Sequence, residues 1–376
     1  MSASFSILIG GIPASDLEAS FSSLEIDESL DQPATFSISL PINRTPAGDY
    51  DLINDSRLAP LSNVAVVVTA SDNQPQCIFD GYVLSQSAHL DTGTVASTLS
   101  VSATDATWLM NLKANTQEWA DVTDGDVADT IFKDYDGFVS DPANLTDDSP
   151  VHTSDGRTLM QRGPDGDFLR NLARRNGKLF RVFCTSTPGV RTASFASPAL
   201  DGDPVVTLTL NDSASATVAA LEISWDVIRP SANTARQTLV ADKDSDGAGG
   251  TQSDSGLPLL GPRGLADFLG ETVTALLTPT VNDAQELTQR SQSVLIEAGW
   301  FVRCTGTVDV NRLGSILRAG TIAQVNAAGS LHSGRYYIWS VHHHITAEKH
   351  SMDFVMLRNA VGGTASPGQL SGGTGL

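Results

Sequence analysis

The amino-acid sequence predicts a mostly β protein with an α/β insertion. Three observations lead to that class. Short β-branched runs separated by Asp, Gly, Ser and Pro recur along most of the 376 residues, of which only 6% are aromatic. Helical periodicity is confined to residues 106–185 and 281–299. A β-rich first third is echoed by a β-rich last quarter. A chain of this length predicts two or more domains, with ample sequence for buried cores.

Residues 1–105 read as strands of a barrel or sandwich. Phe5, Ile7 and Ile9 alternate before Gly10-Gly11. Leu24 and Ile26 alternate with charged neighbours, and Phe36, Ile38 and Leu40 with serines until Pro41 stops the run. Val64–Thr69 is continuously apolar, as in a fully buried strand. Asp80-Gly81 is either a turn signal or a bulge inside a strand pair. Leu99 and Val101 end the set.

Residues 106–200 change to an α/β segment with two helices. Thr123 and Asp126 have capping-box spacing, and Val127, Ala128, Ile131, Phe132 and Tyr135 form one apolar stripe. A polar loop is expected over residues 140–158. Asp165 then reads as an N-cap with Asp167 in the first turn. Phe168, Leu169, Leu172 and Ala173 share a face, and Gly177 is placed for a left-handed C-cap. Strand alternation resumes at Phe180 and Val182.

Residues 201–280 form a β-rich, loop-rich connection. Val205–Leu210 and Leu221–Val227 read as strands, and 241–257 as an exposed Gly-rich loop. Residues 281–360 read as a helix followed by strands. Asn282 is its candidate cap, Leu287, Val294, Leu295 and Ala298 its apolar face, and Gly299 its end. Residues 361–376 hold six glycines and no charged side chain, as in a flexible tail.

The net charge is −20, which disfavours wrapping of duplex DNA and binding to anionic membranes. Cys77, Cys184 and Cys304 lack metal spacing and lie in apolar runs, as buried free thiols of a protein made in a reducing cytoplasm. No basic leader and no span of ~20 apolar residues is present, so the chain is not expected to insert into a membrane.

No nucleophile elbow, P-loop, HExxH or dinucleotide fingerprint occurs, and no catalytic or cofactor-binding residues are predicted. Asp242, Asp244 and Asp246 match the first half of a calcium loop, but Ser253 replaces the bidentate glutamate, so a solvated acidic loop is favoured. His342 and His344 fall on one face of a strand and His343 on the other. A structural or interface role is favoured over metal binding. Residues 121–155 hold ten acidic side chains and one Lys, while Arg162, Arg170, Arg174, Arg175, Lys178 and Arg181 lie within twenty residues of one another. The basic set suits acidic cargo or, preferably, pairing with the acidic segment of the same or a neighbouring protomer.

Three stretches resemble a known family. They are the capped helix and strand QRGPDGDFLRNLARRNGKLFRV at 161–182, the segment from Val101 to Gly137, and the segment from Gly320 to Asn359. In the last, Gly334, Tyr336, Val341, His342 or His343, Phe354, Leu357 and Arg358 carry the match. Together they are similar to phage late control D proteins, the baseplate hubs of contractile tails, and to the hub half of VgrG-type spike proteins. The resemblance implies two small β-barrel domains of tail-hub type, at 1–105 and 281–360. It implies a homotrimeric ring with pseudo-sixfold symmetry that adapts a hexameric tail tube to a trimeric spike and lines the delivery channel. The implied partners are the tube, other baseplate proteins and a spike on a separate chain. No specific nucleic-acid contact, cofactor or enzymatic activity is implied. The particle is a virion tail or an injection system. The alternative reading is a secreted β-rich cell-wall hydrolase or carbohydrate-binding protein, and a weaker one is a calcium-gated module.

Overall fold

The structure, a computed structural model, describes residues 4–71, 74–92, 97–154, 158–210, 216–237, 248–279, 281 and 284–363. The fold is mostly β. A thirteen-stranded sheet gathers the first third and the last quarter of the chain. Its path runs from Leu221–Trp225 through Val302–Asp309, His350–Arg358 and Gly334–Ile345. It then crosses to Ser23–Ser29, Thr35–Pro41, Thr98–Asp105, Pro75–His89, Asn63–Thr69, Ser4–Ile9 and Ile12–Pro13. Val206–Thr209 joins from the side, parallel to Ile322–Asn326.

The crossing is made by the Gly334–Ile345 strand. His350–Arg358 pairs along one edge of it. Its other edge meets Ile322–Asn326 over its first half and Ser23–Ser29 over its second. The two β-rich segments are therefore one continuous sheet over one shared core, which runs from Ile7 and Leu24 to Phe354 and Met356. This corrects the expectation of two closed barrels. The described sheets stay open because Ser23–Ser29 and Gly334–Ile345 pair with each other instead of closing each set on itself. One path end, Ile12–Pro13, is only two residues long and carries a proline, which blunts a free edge.

Alternation explains the strands. Leu24 and Ile26 point inward with Phe36, Ile38 and Leu40 opposite. Asp80-Gly81 is no turn, since Pro75–His89 is one fifteen-residue strand with register shifts on both sides of that pair. A Cβ on Gly81 would collide with the Thr104 carbonyl, so only glycine permits that close approach.

The insertion has its own core. Val127, Ile131 and Phe132 of the Asp124–Lys133 helix meet Leu169, Leu172, Phe180 and Phe195. Thr123 and Asp126 form the expected capping box. Helix Asp165–Arg175 begins after Pro164, with no side-chain cap. The expected N-cap role of Asp165 is thus corrected: its buried carboxylate accepts hydrogen bonds from Asn115, Tyr135 and Gln161 at 2.7, 2.7 and 2.5 Å. At the other end Gly177 has φ +66°. The Lys178 and Gly177 amides close back on Ala173 and Arg174, as in a Schellman motif.

Three further expectations change. The polar loop expected over 140–158 begins inside a strand, Phe138–Leu145, which runs parallel to Arg191–Ala196. Ala248–Gln252, placed in the Gly-rich loop, is a strand antiparallel to Ala232–Gln237, with Thr251 hydrogen-bonded to Thr234 at 3.0 Å, and its Ala-Gly-Gly start could not announce it. Val361 is fully buried and bridges Arg263, so 361–363 belong to the fold, while 364–376 lie outside the described residues. Helix Ala284–Gly299 buries Leu287, Leu295 and Ala298 as expected. Asn282 lies outside the described residues.

Candidate functional site

A buried ionic cluster ties the insertion to the sheet. Glu28 continues the inward alternation of Leu24 and Ile26, so its carboxylate emerges on the core face. It accepts from Arg318 Nε and Nη2 at 3.0 and 3.2 Å, from Arg181 Nη2 at 3.2 Å and from the Ala319 amide at 3.2 Å. Arg318 also donates to the carbonyls of Cys77 and Cys184 at 3.0 and 2.9 Å. Burial pulls Arg181 below the usual guanidinium range, against the pull of Glu28. Arg318 is held above it despite burial, because Glu28 is in direct contact. A second tie lies nearby: Asp80 accepts from Arg191 at 2.8 Å, from Asn63 at 2.8 Å and from the Gly189 amide at 2.6 Å. Paired guanidinium and carboxylate groups this well satisfied hold geometry and do not transfer protons.

A third set of contacts closes the C-terminal end. Arg358 is buried and donates to the Leu260, Ser333 and Gly362 carbonyls at 3.0, 3.3 and 2.5 Å. Its guanidinium lies 5.3 Å from the Tyr336 ring centroid. Gly334, at φ +139°, leaves room for it: a Cβ there would fall 2.5 Å from Arg358 Nη2. Three residues of the family-like segment, Gly334, Tyr336 and Arg358, thus form one packing unit.

The basic candidates do not share one surface. Lys178 is buried, with Nζ 2.5 Å from the Thr146 carbonyl and 2.6 Å from Asp148. Arg181 is in the Glu28 cluster, and Arg175 pairs with Glu286 at 3.4 Å. Arg170 lies 3.5 Å from Asp167 and over the Phe180 ring. Arg162 and Arg174 are exposed and have no ion-pair partner among the described residues. A cleft of about 290 Å³ is lined by Arg174, Lys178, Asp31, Glu297, Trp300 and Trp339.

The histidines alternate as expected. His342 Nδ1 is 2.7 Å from Asp27 and His344 Nδ1 is 3.6 Å from Glu25, both across the strand pairing that joins the two β-rich segments. His343 points inward and is wholly buried, 3.0 Å from His350. Burial, reinforced by the neighbouring His350, holds His343 well below the usual imidazole value. Burial likewise pulls His350 down to about 4. No group of three or more metal-ligating side chains occurs among the described residues, and Asp242, Asp244 and Asp246 lie outside them. A His152–Asp124 contact at 2.7 Å went unpredicted, because nothing local links a loop histidine to a helix start 28 residues away. Glu28 continues the inward alternation of Leu24 and Ile26, which is the signal for a buried cation partner, whereas Asp80 read as part of a turn signal or bulge and gave no such signal.

The model of the Alg8 N-terminal domain family matches residues 2–347. The chain belongs to that family. No curated protein matches it by sequence. Among solved structures it is similar to the 43 kDa tail protein of prophage MuSo2 from Shewanella oneidensis, with TM-score 0.66, 16% identity and coverage of 96% of this chain and 100% of that one. It is similar to the tail protein from Neisseria meningitidis MC58, with TM-score 0.64, 14% identity and coverage of 95% and 97%. A third is the E. coli c3393 protein, a type VI secretion component described as structurally similar to bacteriophage T4 tail proteins, at TM-score 0.57, 14% identity and coverage of 96% and 79%. The fold is that of phage tail proteins, as the resemblance of the three segments implied. No helix among the described residues is long and apolar enough to cross a membrane.

Proposed function

We propose that this chain is a structural baseplate hub of a contractile phage tail or phage-tail-like injection system, working as a homotrimer between a tail tube and a trimeric spike. The observation that carries the reading is the end-to-end fold match with tail proteins of nearly equal length. The internal ties add support: Glu28, Asp80 and Arg358 are used up in holding segments together, as a load-transmitting ring requires. In this reading residues 1–105 and 281–360 supply two similar β units per protomer, six around the ring. Residues 106–200 and 201–280 decorate the outside. Exposed Arg162 and Arg174, with His342 and His344, face neighbouring subunits or partners. The role is mechanical and not enzymatic. Asp242, Asp244 and Asp246 are taken as a solvated acidic stretch and not as a metal site, and a calcium-dependent thermal shift would overturn that.

The test is multi-angle light scattering of the purified chain, alone and with a trimeric spike protein. A trimer, or a stoichiometric complex with the spike, is expected. A protein that stays monomeric and joins neither spike nor tube overturns the reading.

A further inference from the structure

The three cysteines do not share one environment. Cys304 packs among apolar side chains of the main core, where burial pushes its thiol up to about 12. Cys77 and Cys184, 107 residues apart, meet where the end of Leu179–Cys184 abuts the start of Pro75–His89. The Cys77 amide donates to the Thr185 carbonyl at 3.0 Å, and the Cys184 thiol donates to the Cys77 carbonyl at 2.9 Å. The two side chains share one small buried cluster with Ala65, and the Cys77 thiol donates to the Phe79 carbonyl at 3.2 Å. A backbone hydrogen bond one residue away keeps the chains near strand spacing, about 5 Å, inside the ~4.4–6.8 Å Cα separation that a disulfide spans.

We propose that Cys77 and Cys184 are an oxidisable pair that closes to a disulfide and staples the insertion to the large sheet. A narrow cleft of about 30 Å³, room for one small polar molecule, is lined by Cys184, Arg318, Arg181 and Glu28, but not by Cys77. The cleft admits an oxidant of the peroxide class to Cys184 first. The Cys184 sulfur takes one oxygen from the peroxide, becoming a sulfenic acid, and water leaves. The Cys77 sulfur then attacks the Cys184 sulfur, the S–O bond breaks, and the Cys77 proton departs with the hydroxyl as a second water. Two thiols are oxidised and one peroxide is reduced. Arg318, bonded to both cysteine carbonyls, supplies positive charge that favours thiolate. The hydrogen bond to Cys77, together with burial, works the other way and holds the Cys184 thiol protonated. The reaction is therefore slow, a modification that accumulates after the chain leaves a reducing compartment.

The experiment treats the full chain with hydrogen peroxide for hours, alkylates it in denaturant and maps non-reduced peptides. A Cys77–Cys184 linkage is expected, with Cys304 alkylated. C77A is expected to stop at a dimedone-reactive Cys184. The linked protein gains a Tm increase on the order of 5–10 °C that dithiothreitol reverses. Refolding from urea with oxidised and reduced glutathione is the second arm, since it reaches the pair without the cleft. A linkage by either route supports the pair. No linkage by both routes, a linkage through Cys304, or a lowered Tm in the linked form overturns it.

Discussion

Single residues carry much of this fold's definition, and Arg358 shows how. Its charge is compensated by carbonyl oxygens and an aromatic face, with three chain segments converging on one guanidinium. Removing it leaves those carbonyls buried without donors, each costing about 1–3 kcal/mol. Arg358→Met is expected to lower unfolding free energy by roughly 3 kcal/mol or more in urea titrations, and Arg358→Lys to recover only part, since an ammonium cannot span the same fork. A loss within 0.5 kcal/mol would show the unit to be dispensable. Glu28 obeys the same logic with the opposite sign. Glu28→Gln leaves Arg181 and Arg318 facing each other across a neutral amide, an expected cost of about 3–5 kcal/mol for breaking a buried pair, read in the same titration. The sequence held half of this. Arg358 stood out through its motif, and Glu28 stood on a core-facing position. Their partners, residues 290 apart in the Glu28–Arg318 case, were invisible because pairing at that range is set by topology.

At the scale of elements, the helix and strand of 161–182 came through almost whole. Local rules decide it: periodicity, an acidic first turn and a glycine stop. Gly177 shows why the stop is strict. Its φ of +66° strains any other residue, and a Cβ would meet Ile296 at 2.7 Å and the Ser293 backbone at 3.0 Å. Gly177→Ala is expected to cost roughly 1–3 kcal/mol, measured as a fall in urea midpoint. The strands that sequence missed, Phe138–Leu145 and Ala248–Gln252, lack alternation and are held by backbone pairing and a few long-range side-chain contacts such as Ser140 to Asp129 and Thr251 to Thr234. The strand seam makes a pH prediction. His350 is held by burial at about 4 against 6.5 for a free imidazole, and His343 is also depressed, by burial and by His350. An unfolded chain binds protons at these sites before the folded one does, so stability is full above pH 6.5 and falls as pH drops from 6.5 toward 4. Arg318 and His342 oppose a charge on His343, and only Asp309 favours one on His350. His350 alone accounts for about 3 kcal/mol over that window. Urea midpoints at pH 7.5, 6 and 4.5 should decline steadily, with a flatter profile for His350→Gln. An equal slope in the variant would place the proton uptake elsewhere.

The whole molecule carries −20, and that charge sets the terms for assembly. Identical protomers of one sign repel, so a ring requires local attraction at its contacts. Four of the six basic side chains of the 162–181 stretch cannot supply it, because Arg170, Arg175, Lys178 and Arg181 are already paired within the chain. Arg162 and Arg174 remain, exposed on adjacent elements. Both are exposed and neither forms an ion pair among the described residues, so reversing them leaves the fold within about 0.5 kcal/mol of the parent. The double variant Arg162→Glu/Arg174→Glu is therefore expected to keep its Tm and lose association, with a sedimentation or light-scattering midpoint shifted at least tenfold in concentration. The same contacts predict salt sensitivity. Association of the parent should weaken between low salt and 0.5 M, where the Debye length falls to about 4 Å, while the double variant should respond little. If parent and variant associate alike at every salt concentration, these arginines lie outside the contact, and the attraction that overcomes −20 is apolar.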